Sequence, residues 1–247
     1  MKESNVAISR YANDADMQKP EVEIFNSLQN ELKEARLLDI GIGGGRTTLY
    51  LKDKVKDYVG IDYSSKMIET TKNRIPEISN KVFVCNVIDM STFSDNQFDI
   101  VFFSFNGLDY LQTIEERILA LNEIYRVLKK GGKFIFSSHN LQDNSLFNFS
   151  LKKQSLIKTI EHIVKIFYRI VSNNKKTIMN SNYSYIKDGG HFFKLRNFYI
   201  KPLFQIEQLK DNGFLETKIF SLTSGKEVVS NFDKIKDPWL YYLTVKV

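Results

Sequence analysis

The chain of 247 residues contains a single cysteine, Cys85, so no disulfide can form within it. This excludes a disulfide-stabilised scaffold and favours a reducing compartment. The sequence also lacks any run of about 18 consecutive apolar residues, the length that a membrane-spanning helix needs. Its amino terminus, MKESNVAISR, has no apolar core of a signal peptide. We therefore expect a cytoplasmic protein without a transmembrane segment.

Acidic residues are scarce in one part of the chain. Residues 141–201 contain eleven lysines or arginines and three acids, a net charge of +8, so the rest of this +6 chain carries −2. A general enrichment in lysine and asparagine also raises the total, so the position of the charge is more informative than its sum. A local basic segment favours an anionic substrate, a nucleic acid or an acidic surface as partner.

Short apolar runs alternate with helical patterns through the first 140 residues. The runs contain too few polar residues to have one face in water, which is typical of strands in a parallel sheet buried on both sides. The predicted strands span 36–40, 57–62, 81–85, 98–104 and 133–138, and the predicted helices span 20–34, 46–54, 64–74 and 113–129. This alternation predicts an α/β fold with helices on both faces of the sheet.

The alternation stops after Ser138. Apolar residues at three- and four-residue spacing predict an amphipathic helix over 150–171. The turn signal Asp188-Gly189-Gly190, between aromatic-rich arms, predicts a hairpin or an extended loop over 183–200. We interpret 141–200 as an insertion after the fifth strand that forms a substrate-binding lid.

Regular order returns after the insertion. The pattern there predicts a helix over 201–214 and strands near 216–222 and 239–246. The sequence shows no internal repeat and no low-complexity linker, so we predict one domain, 1–247. Its expected architecture is a Rossmann-like, seven-stranded and mostly parallel sheet with helices on both faces.

Four glycines interrupt the segment RLLDIGIGGGRTTLYL, residues 36–51, where the first strand ends and a helical pattern begins. Glycines in such a turn let the backbone lie directly against a ligand. Dinucleotide-binding sheets use G-x-G-x-x-G at this place. Counted from Gly41, Arg46 occupies the third glycine position, and counted from Gly43, Thr48 does. The dinucleotide pattern therefore fails in both registers.

The segment D-I-G-I-G-G-G, residues 39–45, instead resembles the first motif of class I S-adenosylmethionine-dependent methyltransferases, D/E-x-G-x-G-x-G. The resemblance implies S-adenosylmethionine as cofactor and S-adenosylhomocysteine as product. It implies that Asp39 helps to organise the ammonium group and that the glycine backbone lies beneath the ribose and methionine portions. The residues expected at the cofactor are Asp39, Gly41, Gly43, Gly45, Arg46, Asp62, Tyr63, Met67, Asn86, Val87 and Ser104.

Later segments extend this resemblance. Asp62 ends the second strand and looks like the family's acid that takes both ribose hydroxyls, although dinucleotide enzymes place an acid there too. The segment C-N-V-I-D-M is similar to the family's G-D-A-x-D-L, which implies Asn86 and the Val87 backbone at the adenine edge. The segments FDIVFFSFNGLDYL, 98–111, and LNEIYRVLKKGGKFIFSSHN, 121–140, resemble the fourth strand with its turn and the helix, turn and fifth strand.

The methyl acceptor is expected beyond the carboxyl ends of the strands, where open parallel sheets bind ligands. Transfer from a sulfonium requires alignment of an acceptor lone pair, and a hydroxyl acceptor must also lose a proton. His139 is the first candidate for general base because imidazole titrates near neutrality, and a loop histidine that only forms hydrogen bonds is the alternative. His191 and Tyr110 are further catalytic candidates. The predicted substrate-binding residues are Asn106, Asp109, Asn140 and Arg196.

The absence of several motifs restricts the range of possible methyl acceptors. No Asn/Asp-Pro-Pro-aromatic sequence follows the fourth strand, as amino-methylating DNA enzymes of this superfamily would have, and Cys85 is not in a Pro-Cys loop. Ser104 stands where the metal-dependent catechol-type enzymes carry an acid, so no metal is expected. These absences leave a small-molecule methyltransferase, and the overall pattern resembles bacterial enzymes associated with surface-polysaccharide or natural-product biosynthesis.

The basic insertion favours O-methylation of an anionic acceptor, such as a phosphate-bearing metabolite, a sugar phosphate or a nucleotide sugar. N-methylation of a small molecule and an RNA-directed enzyme that uses the insertion for phosphate contacts remain alternatives. The helix over 150–171 is a lid, a dimer contact or a membrane-surface element. The sequence is compatible with a monomer or a homodimer.

Overall fold

In the computed structural model, the described residues are 17–143, 163–164, 167–189 and 195–247. Part of the predicted helix over 150–171 falls among them, and there residues 163–164 and 167–171 are helical. The rest of that helix, the hairpin tip at 190–194 and the catalytic candidate His191 lie outside the described residues.

Within the described residues, the strands form one mixed sheet. The strands are β1 (Arg36–Ile40), β2 (Asp57–Asp62), β3 (Val82–Val84), β4 (Phe98–Phe103), β5 (Leu128–Asn140), β6 (Tyr183–Ile186), β7 (Asn197–Ile200), β8 (Phe214–Ser221), β9 (Glu227–Val228) and β10 (Trp239–Lys246). Their order is β3-β2-β1-β4-β5-β10-β8-β9, with β7 beside β5 and β6 beside β7. Strands β1 to β5 are parallel, and β10 runs antiparallel to both β5 and β8.

The prediction of seven strands is not confirmed, because the described residues form a sheet of ten strands, which is mixed although β1 to β5 are parallel. All seven predicted strands are present, and β1 and β2 have the predicted bounds. The additional strands are β6 and β7, which belong to the insertion, and the two-residue strand β9. A strand of two residues has no periodicity to detect, and the addition of a hairpin to a distant strand is a long-range pairing.

Helices cover both faces of this sheet. Besides the helical residues near 163–172, the described α-helices are α1 (Lys19–Ser27), α2 (Gln29–Leu32), α3 (Arg46–Leu51), α4 (Ser65–Arg74), α5 (Ile114–Val127), α6 (Lys175–Asn180) and α7 (Pro202–Asp211). The predicted helix over 20–34 is interrupted at Leu28, whose backbone leaves the helical conformation. Among the helices that the structure describes, none combines the length and the apolar content needed to cross a membrane.

Alternate residues of the central strands feed two separate apolar cores. Leu38 and Phe103 belong to the core on one face, whereas their neighbours Leu37 and Phe102 belong to the core on the other face. Successive side chains of a strand point to opposite faces, so a sheet covered on both sides needs apolar residues at every position. This explains the continuous apolar runs of the sequence and confirms the predicted layering.

The insertion extends the sheet at the end of β5. Strands β6 and β7 pair antiparallel, which confirms the predicted hairpin, with Tyr183 opposite Ile200. Strand β7 then pairs parallel to β5, with Tyr199 opposite His139, at positions of β5 that lie beyond the end of β4. The hairpin therefore flanks His139, and its action as a lid stays a prediction.

Candidate active site

Four parallel strands bring their carboxyl ends to one edge of the sheet. Gly41 follows β1, Asp62 ends β2, Ser104 follows β4 and His139 lies near the end of β5. Residues that are far apart in sequence are thus neighbours at this edge, where open α/β sheets bind their ligands.

The glycine turn presents bare backbone at Gly43. This residue has a φ of +53°, which residues with a side chain rarely adopt, and a Cβ atom there would have no neighbour within 4 Å. At Gly45, with a φ of +83°, a Cβ would lie 3.1 Å from Ile75 and 3.2 Å from Thr71. Gly45 therefore permits close packing against α4, whereas Gly43 leaves open space in which a ligand can lie against the peptide groups.

Asp62 connects this turn to the start of α4. Its Oδ2 accepts a hydrogen bond from the Gly43 N–H at 2.9 Å, and its Oδ1 accepts one from the Ser64 N–H at 2.9 Å. A ribose that lay over Gly43 would have this carboxylate beside it. The open backbone and the adjacent acid fit a nucleoside cofactor, as the sequence predicts.

The other residues predicted at the nucleoside follow β2 and β3 at the same edge. Tyr63 and Asn86 are exposed, whereas Met67 and Val87 are buried. The Asn86 Oδ1 accepts a hydrogen bond from the Ile88 N–H at 3.3 Å, which shapes the turn after β3. Their contacts with the cofactor stay predictions.

Asp39 is directed into the protein. Its Oδ2 accepts hydrogen bonds from Thr47 Oγ1 at 2.6 Å and from the Tyr58 hydroxyl at 2.8 Å, and the residue is 1% exposed. Burial raises the pKa of Asp39 to about 7, although both hydroxyls act to lower it. Asp39 therefore holds α3 against β2. Its organisation of the ammonium site stays a prediction.

A buried ion pair joins α1 to the glycine turn. The Arg46 guanidinium donates two hydrogen bonds to Glu21, at 2.7 and 2.8 Å, and a third to Ser104 Oγ at 3.0 Å. The Glu21 carboxylate also accepts hydrogen bonds from the Ser104 hydroxyl, from the Tyr241 hydroxyl at 2.7 Å and from the Gln18 N–H at 2.7 Å. Burial acts to raise the pKa of Glu21, but Arg46 holds it below its ordinary value.

This network changes the interpretation of two predicted cofactor residues. The side chains of Arg46 and Ser104 are directed to Glu21, and their contact with the cofactor stays a prediction. Neither Glu21 nor Tyr241 is predicted at the site from the sequence. Glu21 is the first acid of a helix whose apolar spacing is clear, so its pattern is that of a residue on a solvated face.

His139 is held by a fully buried carboxylate. Asp109 Oδ2 accepts hydrogen bonds from the His139 backbone N–H at 2.7 Å and from the ring Nδ1 at 2.9 Å. Asp109 Oδ1 accepts from Arg117 at 2.8 Å and from Ser138 Oγ at 2.8 Å. Asp109 and Arg117 are completely buried, while the His139 side chain is 13% exposed. The ring is therefore fixed with one edge in the protein.

The hydrogen bonds of His139 select one tautomer of the neutral ring. Because the Asp109 carboxylate only accepts, Nδ1 carries the hydrogen and Nε2 carries the lone pair. The Asn106 amide, 3.2 Å from Nε2, donates to that lone pair. The other amide atom, Asn106 Oδ1, is buried and has no hydrogen-bond partner among the described residues. A basic nitrogen and an unused acceptor oxygen thus lie side by side.

Arg117 occupies the centre of a polar cluster under this site. Its guanidinium donates to Asp109, to the Leu108 carbonyl at 3.1 Å, to Gln205 at 2.8 Å, to Gln208 at 3.0 Å and to Ser138 at 3.4 Å. The guanidinium also lies over the Phe198 ring, 4.2 Å from its centroid. Arg117 is not predicted from the sequence, because the helix pattern over 113–129 gives no reason to expect a buried cation.

Aromatic rings border the exposed part of His139. Tyr199 of β7 stacks on the imidazole with ring centroids 4.6 Å apart, and Trp239 of β10 lies edge-on at 6.4 Å. Phe105, after β4, is 6.2 Å from Trp239. The imidazole therefore has aromatic neighbours in Tyr199 and Trp239, in addition to the polar contacts with Asp109 and Asn106.

Known proteins resemble this chain in sequence. Residues 38–136 match the model of a family described as a methyltransferase domain. The putative methyltransferase YqeM of Bacillus subtilis (strain 168) is 29% identical over 108 residues, 44% of each chain. A demethylmenaquinone methyltransferase of Staphylococcus carnosus (strain TM300) is 26% identical over 205 residues, 82% of this chain and 76% of that protein.

The fold is shared with solved structures. A structure of an S-adenosylmethionine-dependent methyltransferase from Clostridium acetobutylicum ATCC 824 has a TM-score of 0.65 at 16% identity and covers 98% of both chains. The chain is an S-adenosylmethionine-dependent methyltransferase. Its cofactor is therefore S-adenosylmethionine, as the resemblance of residues 39–45 implies.

Two residues of the methyltransferase that we predicted at the substrate are buried inside the protein. Asp109 is completely buried and its carboxylate holds His139. Asn140 is also completely buried, and its amide donates to the Ile235 and Asp237 carbonyls at 3.0 Å each. Both side chains are thus directed into the protein, and their contact with an acceptor stays a prediction.

Two further predicted residues, Tyr110 and Arg196, lie near one another. Gln112 Nε2 donates to the Tyr110 carbonyl at 2.6 Å and is 3.4 Å from the Arg196 carbonyl. Tyr110 is half-buried and Arg196 is exposed. Within the part of the chain that the structure describes, no group of three or more His, Cys, Asp or Glu side chains could hold a metal ion.

Proposed function

We propose that this methyltransferase transfers a methyl group to an oxygen of a small anionic acceptor, with His139 as general base. The observation that carries the proposal is the Asp109–His139–Asn106 arrangement, which directs the Nε2 lone pair away from the buried carboxylate. Asp109 positions the ring and stabilises the imidazolium that forms when Nε2 takes a proton.

Each residue of the arrangement has a separate task. S-adenosylmethionine, when bound, supplies the electrophilic methyl group and leaves as S-adenosylhomocysteine. The acceptor hydroxyl displaces the Asn106 amide from Nε2, donates its proton to Nε2 and forms the new bond to the methyl carbon through its oxygen. Asn106 Oδ1, for which the described part of the chain offers no partner, accepts a hydrogen bond from a second donor group of the acceptor. An acceptor oxygen that is already ionised would need only orientation by His139.

The anionic character of the acceptor is supported by the basic insertion. Residues 141–201 carry a net charge of +8, and the hairpin β6–β7 within them flanks His139. Positive charge around a site raises the local concentration of an anionic substrate. We propose a phosphate-bearing metabolite, a sugar phosphate or a nucleotide sugar, the acceptor types of surface-polysaccharide or natural-product biosynthesis.

An activity screen with S-adenosylmethionine and such acceptors tests this proposal. We expect the KM of the acceptor to rise with added salt, because salt screens exposed charges beyond about 10 Å at 0.1 M. A KM that does not change with salt would contradict an anionic acceptor. Loss of turnover in His139→Gln with unchanged cofactor affinity would support the general base, and full activity of that variant would exclude it.

A second acceptor class is favoured by the aromatic rings beside His139. Tyr199, Trp239 and Phe105 offer flat apolar surfaces to an aromatic acceptor. The relative from Staphylococcus carnosus is a demethylmenaquinone methyltransferase. We propose demethylmenaquinone as the second candidate, to be included in the same screen. Turnover that is insensitive to salt and weakened by Trp239→Ala would favour it.

A further inference from the structure

The helix formed by residues 163–164 and 167–172 presents apolar side chains to solvent. We call these five side chains the apolar face: Ile163, Val164, Phe167, Ile170 and Val171, which are 45%, 58%, 68%, 47% and 68% exposed. Soluble proteins rarely leave a contiguous apolar patch in water unless something binds there.

Polar side chains of this helix and of Asn173, which directly follows it, attach the helix to the rest of the protein. Arg169 Nε and Nη2 donate to the Asp188 carbonyl at 3.1 and 2.6 Å. Asn173 donates to the Lys187 carbonyl at 3.2 Å and accepts from the Lys187 N–H at 3.1 Å. Arg169 is two residues from both Phe167 and Val171, so its contact with Asp188 lies on the side of the helix away from the apolar face. This is the reverse of a helix that packs its apolar stripe on the core.

The net charge of the segment that contains this helix indicates what covers the apolar face. Residues 141–201 carry a net charge of +8, so two copies that met through this region would repel each other. Four side chains of the apolar face are branched aliphatic groups: Ile163, Val164, Ile170 and Val171. Such groups neither pair with phosphates nor stack flat on bases, which disfavours nucleic acid as the partner. An anionic lipid surface accepts both features, since apolar side chains enter the acyl boundary while basic side chains bind the headgroups.

We propose that the apolar face docks this methyltransferase on the surface of an anionic lipid bilayer. The contact is peripheral and reversible, because a single short helix buries little apolar area and depends on charge for the rest. The proposal goes beyond methyl transfer and is independent of which acceptor is used.

The docking helix is linked to the active site through one residue. Asp188, whose carbonyl accepts from Arg169, also accepts through Oδ2 from the Tyr199 hydroxyl at 2.8 Å and from Asn197 Nδ2 at 2.8 Å. Tyr199 in turn stacks on His139. Docking through the apolar face would therefore place the hairpin that borders the site near the lipid surface.

Vesicle flotation with the full chain tests the proposal. The probes are vesicles of phosphatidylcholine alone and vesicles with about 30 mol% phosphatidylglycerol, at about 0.1 M and 0.5 M salt. We expect binding to the anionic vesicles at low salt that is at least ~10-fold weaker at high salt and on neutral vesicles. Phe167→Ser/Val171→Ser should reduce binding to anionic vesicles by at least ~10-fold, since two apolar side chains lose their burial.

A matched control uses two exposed apolar residues outside the apolar face. Leu203 and Val229 are 50% and 80% exposed, so Leu203→Ser/Val229→Ser should bind vesicles like the parent. Circular dichroism and titration with S-adenosylhomocysteine show whether the variants are folded.

Three results would overturn the proposal. They are no flotation of the parent chain with anionic vesicles, equal flotation of the Phe167/Val171 variant, and a dimer in sedimentation equilibrium that the same variant abolishes. The last result would assign the apolar face to a second copy of the chain.

Discussion

The ring Nδ1 of His139 lies 2.9 Å from Oδ2 of Asp109, and both atoms sit above a buried arginine. The Arg117 guanidinium, 2.8 Å from the other carboxylate oxygen, compensates the negative charge of Asp109 where water cannot. This chain of contacts runs from the interior to the site edge. It holds one imidazole in one orientation, which is what an aligned proton transfer requires.

Replacement of His139 by glutamine tests the role of its Nε2. We expect kcat to fall by about 10²- to 10⁴-fold with a hydroxyl acceptor, because a positioned general base contributes that much. The affinity for S-adenosylhomocysteine, measured by calorimetric titration, should not change. His162→Gln, which removes a histidine that we did not assign to the site, is the control. If His139→Gln kept the parent's kcat, no proton transfer through this ring would be needed.

Replacement of Arg117 by methionine tests the buried support of the site. The variant keeps the volume of the side chain but leaves Asp109 buried without its counter-charge. Removal of one partner of a buried pair costs about 3–5 kcal/mol, and we expect a loss of that size in the free energy of unfolding by urea.

A control for Arg117 lies on the same helix. Arg126 pairs with Glu123 and Asp95 and donates to the Phe93 and Met90 carbonyls, but its side chain is 27% exposed, so Arg126→Met should cost less than Arg117→Met. Equal losses for the two variants would show that burial of the Arg117–Asp109 pair adds nothing special. Where Arg117→Met remains folded, a changed pH profile of kcat/KM would identify Arg117 as a positioning residue of His139.

Local patterns made much of the fold predictable. Strands at 36–40 and 57–62 have the predicted bounds because continuous apolar runs end there at an acid or a glycine. The approach of Asp62 to Gly43 also follows from the sequence, because both residues stand at carboxyl ends of neighbouring parallel strands. Local sequence patterns are therefore sufficient to predict the strands and the glycine turn that form the cofactor site.

Burial of charge could not be predicted from the sequence. Glu21 and Arg117 lie in amphipathic helices, where a charged residue ordinarily faces water. Their burial depends on partners far along the chain, Arg46 and Tyr241 for Glu21 and Asp109 for Arg117. Such pairings are tertiary contacts, so the support of the site had no signal in periodicity or spacing.

Replacement of Asp62 by asparagine tests the cofactor site. The variant retains one acceptor oxygen but loses the negative charge, so hydrogen bonds to ribose hydroxyls are weakened. We expect the Kd for S-adenosylhomocysteine to rise by about 10- to 100-fold, the equivalent of about 1.5–3 kcal/mol for a hydrogen bond to a charged group. Asp95→Asn, at an exposed carboxylate outside the site, should bind like the parent. An unchanged Kd in Asp62→Asn would remove Asp62 from the cofactor site.

Asp39 gives the protein a pH dependence of stability with a defined sign. Burial raises the pKa of Asp39 to about 7 in the folded state, whereas in the unfolded chain it has the ordinary value of about 3.9. Between these values the folded state binds the extra proton, so the contribution of Asp39 to stability falls as the pH rises from about 4 to 7.

The variant Asp39→Asn has no titrating carboxyl group at this position. Its amide oxygen can still accept hydrogen bonds from Thr47 and Tyr58, which both donate to one oxygen of Asp39. We expect the parent to lose up to about 1.4 kcal/mol per pH unit relative to the variant across that window, with no further divergence above it. Urea unfolding of both proteins at several pH values measures this difference. Parallel curves for the two proteins would mean that Asp39 is already ionised throughout, with its charge neutralised by neighbours such as Arg46.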